Sequence, residues 1–579
     1  MRTRITWPSL AILFLGTGIV LAGKLSPDDK LSHALDRLTF GARPGDLEAV
    51  RKTGLKKWID QQLHPERIAE NPALEQKLAS LDTLRMSPRE MAEKYPPPQR
   101  IKALAEGRMP MPQDPAARQR LQPLIDRYQQ RQNRAGKGAE AGTKVPLEAR
   151  ATGLLTEEQR QQLREGTPEE RRAVFQSLPA DTREKIAAAF GGGGRGLAEG
   201  AQMRREFAAQ TAPMAVIAMD LNEAKLDRAI LSERQLAEVL TDFWFNHFNV
   251  YLDKGADRLL VTSYERDAVR PHILGKFKDL LLATARHPAM LFYLDNWQSV
   301  DPRSAAARAG RRYKGLNENY ARELMELHTL GVDGGYTQAD VTEVARCFTG
   351  WTLRNPRQGG GFWFAERAHD RGVKTVLGVR IPAGRGEEDG LQVIDLLAKH
   401  PSTARFLSRK LAQRFVADEP PASLVEKMAN RFQSSDGDLR EVLKTMLDSP
   451  EFWSEKYYRV KIKSPLELVA SAARAMDAQV DSGLALGRQV ARLGQPLYRK
   501  QEPTGYPNTS SDWMNSAALV ARMNFASALA ENRIPGVQVR MDRIPTLPVI
   551  SPPTQAAIEK AEPGKVAGLL LGSPDFQRR

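Results

Sequence analysis

A chain of 579 residues, 41% hydrophobic and 27% charged, is long enough for more than one module, because single hydrophobic cores stop growing near ~250–300 residues. Its net charge of +15 comes from 85 Lys and Arg spread among 70 Asp and Glu. No RNA- or DNA-binding signature accompanies them, so a nucleic-acid partner is not expected. The single cysteine, Cys347, excludes an internal disulfide and a zinc knuckle, and its setting in VARCFTGW predicts a packed thiol rather than a nucleophile.

The chain opens with MRTRITWPSLAILFLGTGIVLAGK, in which Arg2 and Arg4 precede an apolar run from Leu10 to Ala22. This is the layout of a secretory signal over residues 1–22, with Val20 and Ala22 setting cleavage before Gly23. The run falls short of the ~20 residues of a spanning helix. Export to the periplasm or cell envelope is expected, with membrane contact only through an uncleaved signal anchor.

Residues 26–80 read as an N-terminal helical part of the core. Ser26 and Pro27 form an N-cap and first-turn pair, and Asp46 opens a second helix with the stripe Leu47, Val50, Leu55, Trp58 and Ile59. Residues 81–225 turn polar, broken by YPPPQR, RQNRAGKGAEAG and GGGGRG. They carry the weak repeat LTEEQRQQL, TPEERRAVFQSL, LPADTREKIAAAF, which predicts short amphipathic helices on a flexible, partly disordered insertion.

A main helical domain is expected over 226–535. Ser232 with Gln235 predicts a capping box, followed by the stripe Leu236, Val239, Leu240, Phe243, Trp244, His247 and Phe248. Helices follow at 262–270, 275–286 and 317–329, and another is capped by Thr337 and Asp340. Further helices are predicted at 390–399, 402–416, 422–433, 438–447, 464–477 and 511–530. FWFAE (362–366) and VKTVLGVRI (373–381) predict one small β-hairpin. Residues 536–579 form a C-terminal tail with a short helix. The fold class is all-α, a multi-helix core with one small β-hairpin and a polar insertion.

The stretch NENYARELMELHTLG (317–331) holds the densest set of chemical groups. Glu318, Arg322 and Glu326 stand at i, i+4 and i+8, a ladder in which arginine pairs both carboxylates on a charged face. Asn319 and Glu323 form a second row, with Glu326 three residues beyond Glu323. Such a row can also present hard ligands, so Glu323 and Glu326 are the candidate pair for a divalent metal, if one is used. His328 falls off that row. His247 sits on the apolar stripe, whereas Asp242 and Asn246 lie at i, i+4 on the other face, toward a cleft. Asp295 and Asn296 read as a turn. His369 and Asp370 fall between the two predicted strands, on a loop where binding residues concentrate. There is no GxSxG elbow, P-loop, HExxH, or GxGxxG after a strand.

Seven blocks in order carry a resemblance: HALDRLTFGARPG, FWFNHFNV, HPAMLFYLDNWQS, NENYARELMELHTLGV, YTQADVTEVARCFTGW, HDRGVKTVLG, and LGQPLYRKQEPTGYP with its following Trp. Together they resemble the bacterial "domain of unknown function eighteen-hundred" family. The polar insertion departs from the family pattern, as does Tyr506, where Trp is frequent. The resemblance implies an exported helical protein, often encoded beside a second exported family related to sulfatases, which is the candidate partner. It supplies no reaction.

Two functions follow. In the first the chain is an envelope scaffold or partner-binding protein, and its polar residues are hydrogen-bonded clusters that orient helices. In the second it is a periplasmic metal-assisted or acid/base hydrolase. Glu323, Glu326, His369 and Asp370 would then be catalytic, with Asn246, His247, Asp295, Asn319 and Arg322 binding. The two differ in convergence: an enzyme brings the blocks to one pocket, and a scaffold leaves them apart or mutually satisfied.

Overall fold

The computed structural model describes residues 25–135, 204–206, 208–309, 315–356 and 359–579. The signal segment and the 155–190 repeat lie outside the described residues.

Ser26 caps the first helix, Pro27–Leu38, by accepting from the Asp29 N–H at 3.1 Å. Asp28 and Asp29 in its first turn complement the helix dipole. The second predicted helix is two, Asp46–Thr53 and Leu55–Leu63. Gly54 at φ 88° separates them, a backbone setting that ends a helix and that the apolar stripe alone does not disclose. Both halves still face inward, through Val50 and Leu63.

The helix Met214–Leu231 crosses the position where the polar insertion meets the main domain. It buries Val216, Ile217, Leu221 and Ala224. Its Asp220, 1% exposed, is held by Arg205 at 2.9 Å and by the Thr83 hydroxyl at 2.8 Å. Short helices between residues 72 and 94 pack beside it, where Met91 and Tyr95 share a small apolar cluster with Val216 and Ile217.

The central helix, Gln235–His247, starts differently from the predicted capping box. The Ser232 hydroxyl accepts from Arg234 N–H, and the Gln235 side chain donates to the Ser232 carbonyl at 2.8 Å. Ser232 Oγ donates to Glu70, so a partner distant in sequence replaces the local one. The box at Thr337 and Asp340 forms as expected, on the helix Gln338–Cys347. Cys347 is fully buried, and burial pushes its thiol pKa upward.

Among the described residues, two segments wind into π-helix, Tyr264–Val269 and Leu324–Thr329. The predicted 511–530 helix is broken into Ser510–Trp513 and Ser516–Ala530, with Asn515 capping the second. His287 and His400, each before a proline, cap the next helix by accepting the i+2 N–H on Nδ1 at 3.1 Å.

The β-structure among the described residues is three two-stranded antiparallel sheets. The single predicted hairpin does not form. Phe362–Phe364 pairs with Trp351–Leu353, and Lys374–Val376 pairs with Val379–Ile381 across Leu377–Gly378. The two segments make separate hairpins because Leu377 and Gly378 take positive φ and turn the second segment on itself. The third sheet joins Gln479–Val480 to Val537–Gln538. The remaining regular structure among the described residues is helix, and one apolar cluster, drawn from helices and the turns between them, runs from Leu38 to Phe576. No described helix is long and apolar enough to cross a membrane.

Candidate functional site

Two adjoining hollows open beside the central helix, and Asp242, Asn246, Gln495 and Tyr506 border both. The larger is lined mainly by polar and charged side chains, Arg414, Lys461, Glu467 and Arg579 among them. The helix stripe explains its position: Leu236, Val239, Leu240, Phe243 and Trp244 are buried, which turns Asp242 and Asn246 to the opposite face.

Asn246 fastens the loop that forms one wall. Its Nδ2 donates to the Tyr506 carbonyl at 2.8 Å and its Oδ1 accepts from the Tyr506 N–H at 2.6 Å. Asn249, one turn on, donates to the Lys500 and Glu502 carbonyls. Tyr506 donates its hydroxyl to the Pro496 carbonyl at 2.8 Å, and its ring centroid is 6.1 Å from that of Trp513, which also lines the larger hollow. Gly505 makes this close approach possible. Its φ is +72°, and a Cβ there would stand 2.2 Å from the Asn246 carbonyl oxygen. Gly505→Ala is expected to destabilise the chain by ~1–3 kcal/mol, measured by thermal melting, with earlier hydrogen exchange at the Tyr506 amide.

The other wall is charged. Ser464 and Glu467 form a capping box at the start of Pro465–Ala475. Glu467 is also paired by Arg414 at 2.6 Å and Arg579 at 3.1 Å. Burial opposes its charge, but Arg414 and Arg579 outweigh that and bring its pKa down to about 2. Lys461 contacts Asp418 and donates to the Asn508 carbonyl at 2.5 Å. Burial, then Arg579, brings its pKa down to about 8. Arg579 ties the wall together, its N–H on the Lys461 carbonyl at 2.8 Å and its Nη2 on the Arg414 carbonyl at 3.0 Å. In the smaller hollow, Lys225 sits 2.9 Å from Asp242 and 4.8 Å from the Tyr498 ring centroid.

Of the residues singled out in the sequence, Asn246 is at this pocket. His247 is not: it turns inward, its Nε2 3.1 Å from the His328 carbonyl and its ring against Phe248. Both histidines are buried, and burial lowers their pKa values, that of His328 to about 3. Asp295 adopts φ 59° and pairs with Lys254 at 2.9 Å. Asn319 donates to the Leu294 carbonyl at 3.2 Å, pinning its helix to that same turn.

The expected Glu318–Arg322–Glu326 ladder is half formed. Arg322 reaches Glu318 at 3.5 Å and Gln338 at 2.9 Å, whereas Glu326 lies 3.5 Å from the Tyr336 hydroxyl. The cause is the π-turn from Leu324, which rotates Glu326 out of a row that assumes 3.6 residues per turn. Glu323 is half-buried; burial, then Glu326, raises its pKa against the pull of Arg322. Among the described residues, no three His, Cys, Asp or Glu side chains gather as a metal-ligating group.

His369 and Asp370 lie between the two hairpins, buried rather than on an open loop. His369 Nδ1 is 2.8 Å from the Thr349 carbonyl and its Nε2 is 3.2 Å from Asp389. Asp389 also takes Lys374 at 2.7 Å, and Lys374 is buried with it. Asp370 accepts from Arg346 at 2.9 Å and from the Gly372 N–H at 2.7 Å. The dyad is thus a junction between the helix end at Thr349, the second hairpin and the helix Glu388–Lys399.

The charged wall escaped the sequence reading. Arg414, Lys461, Glu467 and Arg579 belong to no one motif and meet only through folding. The one local signal is KIKSPLEL, where lysines run directly into a capping box.

Fold and pocket define a mainly helical protein with a polar pocket between its central helix and its C-terminal segment. The family follows from comparison: the model described as "Protein of unknown function (DUF1800)" matches residues 33–578, nearly the whole chain, and the chain belongs to that family. No curated protein and no solved structure matches it.

Proposed function

We propose that this chain is an exported binding or scaffold protein of the cell envelope. The observation that carries this reading is the lack of convergence among the groups proposed for catalysis. His369 and Asp370 are engaged in buried pairs with Thr349, Asp389 and Arg346, while Glu323 and Glu326 stand on another helix with other neighbours. Groups satisfied by the fold in this way orient elements instead of meeting a substrate. Export rests on the signal-like N-terminus. The exported sulfatase-related family often encoded beside such chains is the proposed partner, to be tested by co-purifying the two proteins from envelope fractions and by N-terminal sequencing for a start at Gly23.

Glu323 separates this reading from a metal-assisted hydrolase. Its raised pKa means the folded state disfavours its charge, so it costs stability as pH rises through that pKa. Glu323→Gln is therefore expected to melt within ~1 kcal/mol of wild type at pH 7, or slightly higher. Neither protein should respond to Mg²⁺, Mn²⁺ or Zn²⁺. A cation-dependent rise in the wild-type melting temperature that disappears in Glu323→Gln would favour the hydrolase instead.

A further inference from the structure

We propose that the pocket walled by Arg414, Lys461 and Arg579 is a binding site for the oxyanion group, a carboxylate, phosphate or sulfate, of a small ligand. This goes beyond the scaffold reading and does not depend on it, since an enzyme would use the same site to hold a substrate.

The first support is a buried imbalance of charge. Six cations cluster about Glu467: Arg37, Arg414, Lys461, Lys463, Arg522 and Arg579, each no more than 6% exposed. Glu467 lies between Arg414 and Arg579, and Asp418 matches Lys461. The remaining nearby carboxylate, Asp36, is 3.7 Å from Arg459 and is shared electrostatically with Arg37, Lys463 and Arg579, so six cations face three carboxylates. Arg37, Lys463 and Arg522 have no carboxylate within ion-pair distance among the described residues. Buried cations without counter-charge are costly, and an anion entering the cluster offsets that cost.

The second support is unused hydrogen-bonding capacity. Arg414 Nη1, Arg579 Nε and Arg579 Nη1 are buried and make no hydrogen bond, as are Arg37 Nε and Nη1; the one acceptor in the same state beside them is Glu467 Oε1, so idle donors outnumber idle acceptors. Arg579 Nε is close to Glu467 but not aligned to donate to it. Orphaned buried donors are uncommon in folded chains. A planar guanidinium donates two parallel N–H groups, a geometry that matches the oxygens of carboxylate or phosphate.

The third is access. The cavity is not sealed, and its lining includes the exposed Pro507 and the part-exposed Tyr506 and Asn508. The acid on the central-helix wall, Asp242, is paired with Lys225, so the lining cations Arg414, Lys461 and Arg579 face one further lining carboxylate, Glu467, and the balance favours an anionic ligand.

The full chain would be melted in sodium phosphate, sodium sulfate and sodium acetate, at ionic strength held constant with sodium chloride. At least one oxyanion is expected to raise the melting temperature by several degrees and to saturate below about 10 mM. Arg414→Gln should weaken that response tenfold or more; Lys461→Gln is the replacement if the first variant does not fold. Crystals soaked in tungstate provide a reading free of variants, with an anomalous peak expected between Arg414, Lys461 and Arg579. The proposal is overturned by no saturable response to any of the three salts, by equal response in the variant, or by a tungstate peak absent from the pocket.

Discussion

Asp389→Ala is expected to destabilise the chain by ~3–5 kcal/mol, read from denaturant or thermal unfolding. Asp389 and Lys374 are both fully buried, 2.7 Å apart. Removing the carboxylate leaves the buried Lys374 ammonium with the carbonyls of Asp370 and Gly372 and, at the longer distance of 3.9 Å, the Asp370 carboxylate that Arg346 already pairs. It also releases His369 Nε2, whose other nitrogen holds Thr349. The pH dependence has a defined sign. Burial pushes the Asp389 pKa up, but hydrogen bonds from His369 and Lys374 outweigh it and hold the value below the usual range. Its contribution is therefore present above the unfolded pKa near ~3.9 and lost as pH falls through the lower folded value. Asp389→Leu combined with Lys374→Met removes both charges and is expected to recover most of the loss. If Asp389→Ala instead melts within ~1 kcal/mol of wild type, the network is not architectural and His369 becomes available for chemistry.

That network shows what local sequence conveys and what it does not. The helices of residues 388–475 follow their apolar periodicity to within two residues at each end, because periodicity is a local property. Asp242 and Asn246 were legible as a polar face because the opposite stripe is so plainly apolar. By contrast, His369–Asp370 looked available only because the partners that bury it, Thr349 and Asp389, stand 20 residues to either side. The π-turn at Leu324 was illegible for a different reason. It changes the period itself, so a ladder drawn at 3.6 residues per turn connects Glu326 to an arginine it does not meet. The cationic wall is the extreme case. Arg37 and Arg579 are brought together from opposite ends of the chain, and each alone reads as an ordinary surface arginine.

Glu467→Gln is the complementary test of that wall. Glu467 is the one carboxylate between Arg414 and Arg579, and its pKa is about 2 against an ordinary value of 4.5. A shift of that size corresponds to roughly 3 kcal/mol of stability, with the order of magnitude set by ~1.4 kcal/mol per unit. Because the folded value is the lower one, this stability is fully present above pH 4.5. It is lost as pH falls toward 2. Glu467→Gln should thus lose about 3 kcal/mol at pH 7, and the gap from wild type should close as pH falls through that window. The variant also takes from Arg414 and Arg579 the one carboxylate that pairs with both, leaving Arg579 only the more distant Asp36 and Asp418. Phosphate, sulfate or acetate at constant ionic strength should then raise its melting temperature more than that of wild type, since an external oxyanion replaces a lost charge as well as meeting the idle donors. A deficit that stays the same from pH 7 to pH 2 would instead assign the effect of Glu467 to its capping bond with Ser464.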